Sequence, residues 1–129
     1  MSPRLRIYII ATLVAALALL GTGVPATLRV DWGHFVAWTV ICLVSETMWT
    51  QNLSGAGTWS LAAAACLSTT VLWGAEAGMW IGALSTLVAD LFVSRKPWVR
   101  AAFNAGQITI TSWCAGMLFA LLGGRAALP

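Results

Sequence analysis

Charged side chains are scarce in this sequence. Asp, Glu, Lys and Arg make up 9% of its 129 residues, whereas hydrophobic residues make up 60%. In soluble globular domains, charged residues supply about a quarter of the chain. Together with a mean hydropathy of +0.86, this composition excludes an ordinary soluble domain and predicts a protein that is solvated by lipid.

Metal-binding patterns and basic patches are also missing. The three cysteines, Cys42, Cys66 and Cys114, stand alone in apolar runs without a Cys-x-x-Cys pair. The sequence therefore encodes neither a metal site nor a disulfide framework, and we expect three small buried side chains. The net charge of +3 comes from basic residues at the edges of apolar runs, so nucleic-acid binding is not predicted.

Long apolar runs fill the rest of the chain. An apolar helix needs about 20 residues to cross a hydrocarbon core of about 30 Å, so the chain has room for about five spans. We predict one all-α, polytopic membrane domain over residues 1–129, with the lipid bilayer as its first partner. In the alternative, four spans are present and residues 58–93 form a re-entrant pair. The five predicted spans cover about 6–24, 34–50, 58–73, 79–93 and 102–122.

The first apolar run has the pattern of a signal peptide, with a basic start, an apolar middle and a possible cleavage site at residues 24–26. We predict instead that it is retained as the first span. Gly21, Gly23 and Pro25 should end its helix, because proline lacks the amide donor and glycine loosens the turn.

Glycine-rich segments predict the remaining boundaries. Residues 51–57 (QNLSGAG) have the composition of a turn. The short link 74–78 should make the third and fourth spans antiparallel neighbours. Gly123 and Gly124 should end the fifth span.

The basic residues predict the orientation. With a cytoplasmic N-terminus and five spans, five basic residues fall inside and two outside, which agrees with the positive-inside rule. This predicts a multi-pass protein of the bacterial cytoplasmic (inner) membrane whose C-terminus lies outside. The inner residues are Arg4, Arg6, Arg95, Lys96 and Arg100, and the outer ones are Arg29 and Arg125.

Tryptophans stand near the ends of the predicted spans. Indole rings prefer the headgroup boundary, so these residues are predicted interface anchors within an aromatic belt. His34 lies at the outer end of the second span and could bind a haem iron or a chlorophyll-type pigment. Since no second ligand is present, we predict an interfacial histidine and no cofactor, with haem or pigment as the alternative. The four anchors are Trp38, Trp49, Trp59 and Trp73.

Small residues recur every four positions along the fourth span, at Gly78, Gly82 and Thr86, and lead to Asp90. Residues at this spacing share one face of a helix. In lipid, such a ridge marks where another helix packs closely. We therefore predict that this small-residue ridge docks a helix of this chain or of a partner.

Polar side chains converge in depth near the cytoplasmic edge. Asn104 and Gln107 share a face of the fifth span, and the predicted topology places Asp90 and Glu46 at the same level. Ionisable groups within a bilayer are costly, so they pair or face a cavity. The four residues form either a hydrogen-bonded lock or a polar pocket. Because no nucleophile and base stand at matching positions, an enzyme is not predicted.

A set of residues and motifs spread over about residues 32–124 forms one pattern. It consists of Glu46, the turn at 55–60, Trp73-Gly74, Asp90 ahead of Arg95-Lys96-Pro97, Phe103-Asn104-x-x-Gln107, and Gly123-Gly124. This pattern resembles the membrane modules that precede HD-GYP phosphohydrolase and diguanylate cyclase domains. The resemblance implies a polytopic bacterial inner-membrane module that senses a signal and has no catalytic residues of its own. The sequence departs from that pattern because no output domain follows the fifth span.

Two functions are consistent with this sequence. The first prediction is a small, non-catalytic accessory or structural subunit of a larger bacterial membrane complex, for example an energy-transducing one, held to other membrane subunits through the small-residue ridge. The alternative is a ligand-sensing or substrate-binding membrane module that uses the polar residues and works with a separate signalling or transport protein.

Overall fold

The described part of the chain forms five α-helices and two three-residue strands, which confirms the predicted all-α class. The computed structural model describes residues 2–27, 29, 31–51 and 58–126, and it describes side chains over 2–24, 29, 31–48 and 61–126. A π-helical turn, Ala89–Val93, continues the fourth helix. The helices are α1 (Pro3–Thr27), α2 (Trp32–Thr47), α3 (Ala62–Trp73), α4 (Ala75–Val88) and α5 (Trp98–Leu121).

Helix α1 continues past its predicted end. We expected Gly21, Gly23 and Pro25 to stop it near residue 24, but it runs to Thr27. The expectation was wrong because a proline removes only its own amide donor, and so close to the end of a helix few hydrogen bonds depend on it.

Helix α2 begins two residues earlier than predicted, at Trp32, because Asp31 caps it. The Asp31 carboxylate accepts a hydrogen bond of 2.8 Å from the Gly33 amide, as an N-cap residue does. This bond, together with nearby His34, lowers the pKa of the exposed Asp31 carboxyl below its ordinary value.

Two short strands replace the predicted helical ends around the turn. Strands β1 (Trp49–Gln51) and β2 (Thr58–Ser60) pair antiparallel, with Thr50 opposite Trp59. The helix prediction was wrong here, because tryptophan and threonine favour an extended, paired backbone. Residues 52–57 of the predicted turn lie outside the described residues.

The link between α3 and α4 is a single residue, Gly74. Its φ of +96° lies in the left-handed region, which glycine adopts without strain. Most of the predicted link 74–78 is therefore helical. The two helices pack antiparallel, since Gly78 lies against Thr70 and Gly82 lies near Cys66.

Helix α4 is the centre of the bundle and contacts each of the other four helices. Helices α1 and α5 run parallel beside it, with the Tyr8 and Phe103 rings 5.6 Å apart. A buried cluster forms where α2, α3 and α4 meet, from Cys42, Cys66 and Ile81 with Phe35. Because α4 is enclosed, its small residues set how closely the other helices approach.

Helix α5 ends at the predicted glycines. Gly123 adopts a φ of +87°, and the Gly124 amide donates to the Phe119 carbonyl at 2.9 Å. This pattern closes a helix with glycine in the left-handed conformation.

We expect Gly78→Ala to destabilise the bundle by about 1 to 3 kcal/mol, a typical cost of overpacking. A Cβ at Gly78 would lie 2.9 Å from the Thr70 Cα, a backbone atom that cannot move aside cheaply. Gly21→Ala is the matched control, because a Cβ there meets nothing within 4 Å. Equilibrium unfolding in mild detergent measures both, and equal stability of the two variants would contradict the close contact.

Candidate functional site: a polar cleft between α2, α4 and α5

Asp90 is a buried carboxylate whose two oxygens are both hydrogen-bonded. Its side chain is 6% exposed. Lys96 Nζ donates to Asp90 Oδ1 at 2.6 Å, and Asn104 Nδ2 donates to Asp90 Oδ2 at 2.6 Å. A buried carboxylate needs such partners, because charge removed from water is costly unless it is paired and hydrogen-bonded. The two contacts tie the end of α4 to the start of α5.

The backbone after Asp90 turns back to bring Lys96 into reach. The helix widens into its π-helical turn, in which the Ser94 amide donates to the Ala89 carbonyl at 2.9 Å. Arg95 then adopts a φ of +49°, a conformation that costs a non-glycine residue about 1 to 2 kcal/mol. The Lys96 amide donates to the Asp90 carbonyl at 2.8 Å, so the strained turn holds both ends of the ion pair.

Glu46 approaches the same place from α2. Thr86 Oγ1 donates to Glu46 Oε1 at 3.1 Å. This contact joins α2 to α4 about one helical turn before Asp90 in the chain, since Thr86 and Asp90 are four residues apart.

These side chains line a cleft of about 210 Å³. The structure thus brings together all four residues that the sequence grouped, although they come from α2, α5 and the π-helical turn. Gln107 is exposed and has no hydrogen-bond partner among the described residues. The lining consists of Glu46, Asp90, Asn104 and Gln107 together with Thr86, Lys96 and Ile108.

The sequence did not single out Lys96 or Thr86 as cleft residues. Lys96 was predicted only as one of the inner basic residues, together with Arg95 and Arg100, whereas the structure pairs it with Asp90. The spacing of six residues between Asp90 and Lys96 does not by itself predict an ion pair. The left-handed backbone of Arg95 decides which of the basic side chains turns toward Asp90. From the sequence, Thr86 was assigned to the small-residue ridge. Its position four residues before Asp90, on the same helix face, was the signal that could have placed it in the cleft.

The small-residue ridge packs inside the chain. Gly78 lies against Thr70 of α3, and a Cβ at Gly82 would lie 2.6 Å from Ile108 Cγ2 of α5. Thr86 is buried and donates to Glu46 of α2. The ridge therefore docks the chain's own helices, and no room remains on it for a helix of a partner.

Two predicted interface anchors are half-buried. Trp38 packs against the buried cluster of Cys42, Cys66 and Ile81. The Trp73 indole nitrogen is buried without an acceptor among the described residues, whereas an anchor would direct it to the headgroups. The anchor role of both residues stays a prediction. The side chains of Trp49 and Trp59 lie outside the described ones.

His34 is exposed at the opposite end of the bundle from the cleft. Its Nδ1 lies 3.3 Å from Asp31 Oδ2, and its ring centroid lies 5.2 Å from that of Trp73. The haem or pigment alternative stays a prediction.

The cysteines differ in burial. Cys42 and Cys66 are buried, as expected, and both lie in the core cluster, whereas Cys114 is exposed. The expectation was wrong for Cys114 because an apolar run in a small bundle also has an outer face. Among the described residues, no three His, Cys, Asp or Glu side chains come together as a metal site would require.

No protein-family model matches the chain, and no curated protein or solved structure does either. The resemblance to signalling membrane modules therefore stays a prediction from sequence pattern, and the functional argument depends on the geometry of the cleft.

We expect Asp90→Asn to lower the free energy of unfolding by about 3 kcal/mol, the lower end of what breaking a buried ion pair costs. The amide would leave Lys96 without its counter-charge and would place a donor or a weaker acceptor against Asn104. Asp31→Asn is the matched control, since asparagine caps a helix as well as aspartate does. Equilibrium unfolding in mild detergent compares the two, and similar losses would show that the Asp90 pair contributes no more than an exposed carboxylate.

Proposed function

We propose that this chain is an integral membrane protein whose five helices cross the bacterial cytoplasmic membrane. The main support is the outer surface of α1. The side chains of Ile7, Val14 and Leu17 are 61 to 68% exposed, and the outer face of α2 exposes Val36, Val40 and others in the same way. Soluble monomers rarely expose continuous apolar surface on this scale, so lipid is the fitting solvent.

Helix length adds a weaker argument. Two segments, Pro3–Val24 and Ala75–Val93, are long and apolar enough to cross a membrane. A signal sequence or a buried core helix would satisfy the same criterion, and α3 has only 12 residues. The exposed apolar faces therefore carry the membrane proposal.

The charges support an orientation with the N-terminus in the cytoplasm. Helices α1 and α5 start at the same end of the bundle, where Tyr8 meets Phe103, and α4 ends there as well. Five basic residues belong to this end and two to the other, which agrees with the positive-inside rule.

Within this membrane module, we propose that the polar cleft binds a small polar ligand. The observation that carries the proposal is the convergence of Glu46, Asp90, Asn104 and Gln107 on one cleft of about 210 Å³. The module is a non-catalytic ligand-sensing or substrate-binding unit that acts with a separate signalling or transport protein. A purely structural hydrogen-bonded lock would not require Gln107, whose side chain has no hydrogen-bond partner among the described residues.

The charge of the cleft favours a ligand that carries an amine or another group rich in donors. Its lining includes the carboxylates of Glu46 and Asp90 and the amine of Lys96. With all three ionised, two negative charges and one positive charge leave a net charge of −1. This net negative charge favours a cationic ligand, because opposite charges attract strongly where water is partly excluded.

The accessory-subunit hypothesis is the second candidate. The ridge that was to hold the partner is occupied by the chain's own helices. A partner in an energy-transducing or other membrane complex would therefore contact the outer faces of α1 and α2, whose exposed apolar side chains suit another membrane helix as well as lipid.

The membrane proposal predicts opposite locations for the two ends of the described chain. Ser2→Cys and Ala126→Cys, each made with Cys114→Ser, provide single accessible thiols, because Cys42 and Cys66 are buried. In intact cells, a membrane-impermeant maleimide should label the cysteine at position 126 but reach position 2 only after lysis. Labelling of both or neither before lysis would contradict five crossings.

The ligand proposal predicts that small amines stabilise the protein through the cleft. Ethanolamine is a suitable first probe, with binding measured by titration calorimetry in mild detergent. Asp90→Asn and Gln107→Leu should each weaken binding about five- to tenfold, the range for one hydrogen bond of ordinary strength. Thr111→Leu is the control, because Thr111 lies one turn from Gln107 but outside the lining.

Gln107→Leu separates binding from folding, since Gln107 is exposed and its replacement should leave stability unchanged. If small amines do not bind, or bind equally to all three variants, the cleft is a structural lock. Stoichiometric co-purification with a larger complex, unaffected by Asp90→Asn, would then favour the accessory subunit.

A further inference from the structure

An apolar groove lies between α1, α4 and α5, on the other side of α5 from the polar cleft. Its volume is about 380 Å³. On α1, the groove is lined by Leu13, Leu17 and Leu20, which share one face of the helix. Leu17 is 68% exposed, so the groove opens on the outer surface of the bundle.

Helix α1 approaches its neighbours closely near its middle and near its C-terminal end. Near the middle, a Cβ on Gly106 of α5 would lie 3.4 Å from Ala16 Cβ and 3.5 Å from Thr12 Cγ2. Near the C-terminal end, a Cβ on Gly23 would lie 3.2 Å from Met79 Cε of α4. Beside these contacts, the small side chains of α5, including Ala102 and Ala105, leave space unfilled.

The lining favours an apolar occupant over water. Its one hydroxyl, that of Thr109, donates within the helix to the Ala105 carbonyl at 2.8 Å. Water in a protein cavity needs two to four polar partners, and apolar cavities stay dry unless an apolar molecule fills them. A hydrocarbon chain is the apolar molecule that a membrane supplies.

Positive charge lies at the cytoplasmic end of the groove. Arg6 is seven residues before Leu13 and therefore on the groove face of α1, about 10 Å further along the helix. Arg95 lies in the turn that joins α4 to α5, the other two walls. Neither arginine forms an ion pair with a described side chain, and Trp98, which is 71% exposed, begins the groove face of α5 at that level.

We propose that the apolar groove holds one acyl chain of an anionic phospholipid of the cytoplasmic leaflet, with its headgroup at Arg6 and Arg95. This inference depends on the membrane placement proposed above. Basic residues at the cytoplasmic ends of membrane helices attract anionic headgroups, and the unfilled groove accepts the chain that such a lipid brings.

The test compares phosphatidylglycerol with phosphatidylcholine. The full chain is released from nanodiscs that contain both lipids in equal amounts, and native mass spectrometry counts the lipid that stays bound. The wild-type chain should keep one phosphatidylglycerol in preference to phosphatidylcholine. Arg6→Gln combined with Arg95→Asn should reduce this preference about 25-fold, at roughly fivefold for each basic residue. Asparagine at position 95 tolerates the left-handed backbone.

Ala102→Leu should fill part of the groove and reduce retention of either lipid, whereas Ala115→Leu should not. Ala115 is a matched control, because it is half-buried on the same helix but lies outside the groove. Arg125→Gln controls for loss of charge at the other end. Equal retention of both lipids by the wild type, or unchanged preference in the double arginine variant, would overturn the proposal.

Membrane integration is measured first, by resistance to extraction with alkaline carbonate. A chain that is extracted lacks the proposed membrane placement altogether. A chain that resists extraction but shows no preference for phosphatidylglycerol contradicts the lipid site alone.

Discussion

The buried carboxylate of Asp90 is the constraint on which the end of the bundle that contains the polar cleft depends. A carboxylate on a side chain that is 6% exposed is tolerated only when both oxygens have partners. Here the partners are Lys96 and Asn104, six and fourteen residues further along the chain. Satisfying both fixes the direction of the turn after α4 and the position at which α5 begins. The strained Arg95 is the local cost of that arrangement, since its left-handed backbone turns Lys96 inward.

The small residues of α4 provide the second constraint, and they act inward. Gly78 allows α3 to pack closely against α4, and Gly82 allows α5 to do so. Close approach of helices on several sides encloses α4 and leaves the larger apolar side chains of α1 and α2 on the outside. In lipid this division is favourable, because association there depends on close packing and not on removing apolar surface from water. The ridge is therefore used to build the module, and any partner has to contact its outer faces.

Periodicity and topology were sufficient to place the polar cleft. Asn104 and Gln107 fall on one face of a helix whatever its neighbours are, and an alternating bundle brings Glu46 and Asp90 to their level. The identity of the cation was beyond that reasoning, because the φ of one residue, Arg95, selects Lys96. Whether Trp38 faces lipid or the core depends on the rotation of α2 against α3 and α4, which no local pattern specifies. The strands β1 and β2 have only three residues each, too few for a period to be recognised.

Helix α5 lines both the polar cleft and the apolar groove, on different faces. Asn104 and Gln107 face the cleft, while Ala102 and Ala105 face the groove. Residues 104 and 102 are separated by about 200° around the helix axis, at 3.6 residues per turn. A rotation of α5 therefore changes both sites together. Because packed interfaces move between discrete arrangements and do not deform continuously, an occupant that fills the groove would favour one position of α5, and that position would set the shape of the cleft. The two proposed sites are thus coupled through the one helix that they share, and this helix is also the one that Asp90 ties to α4.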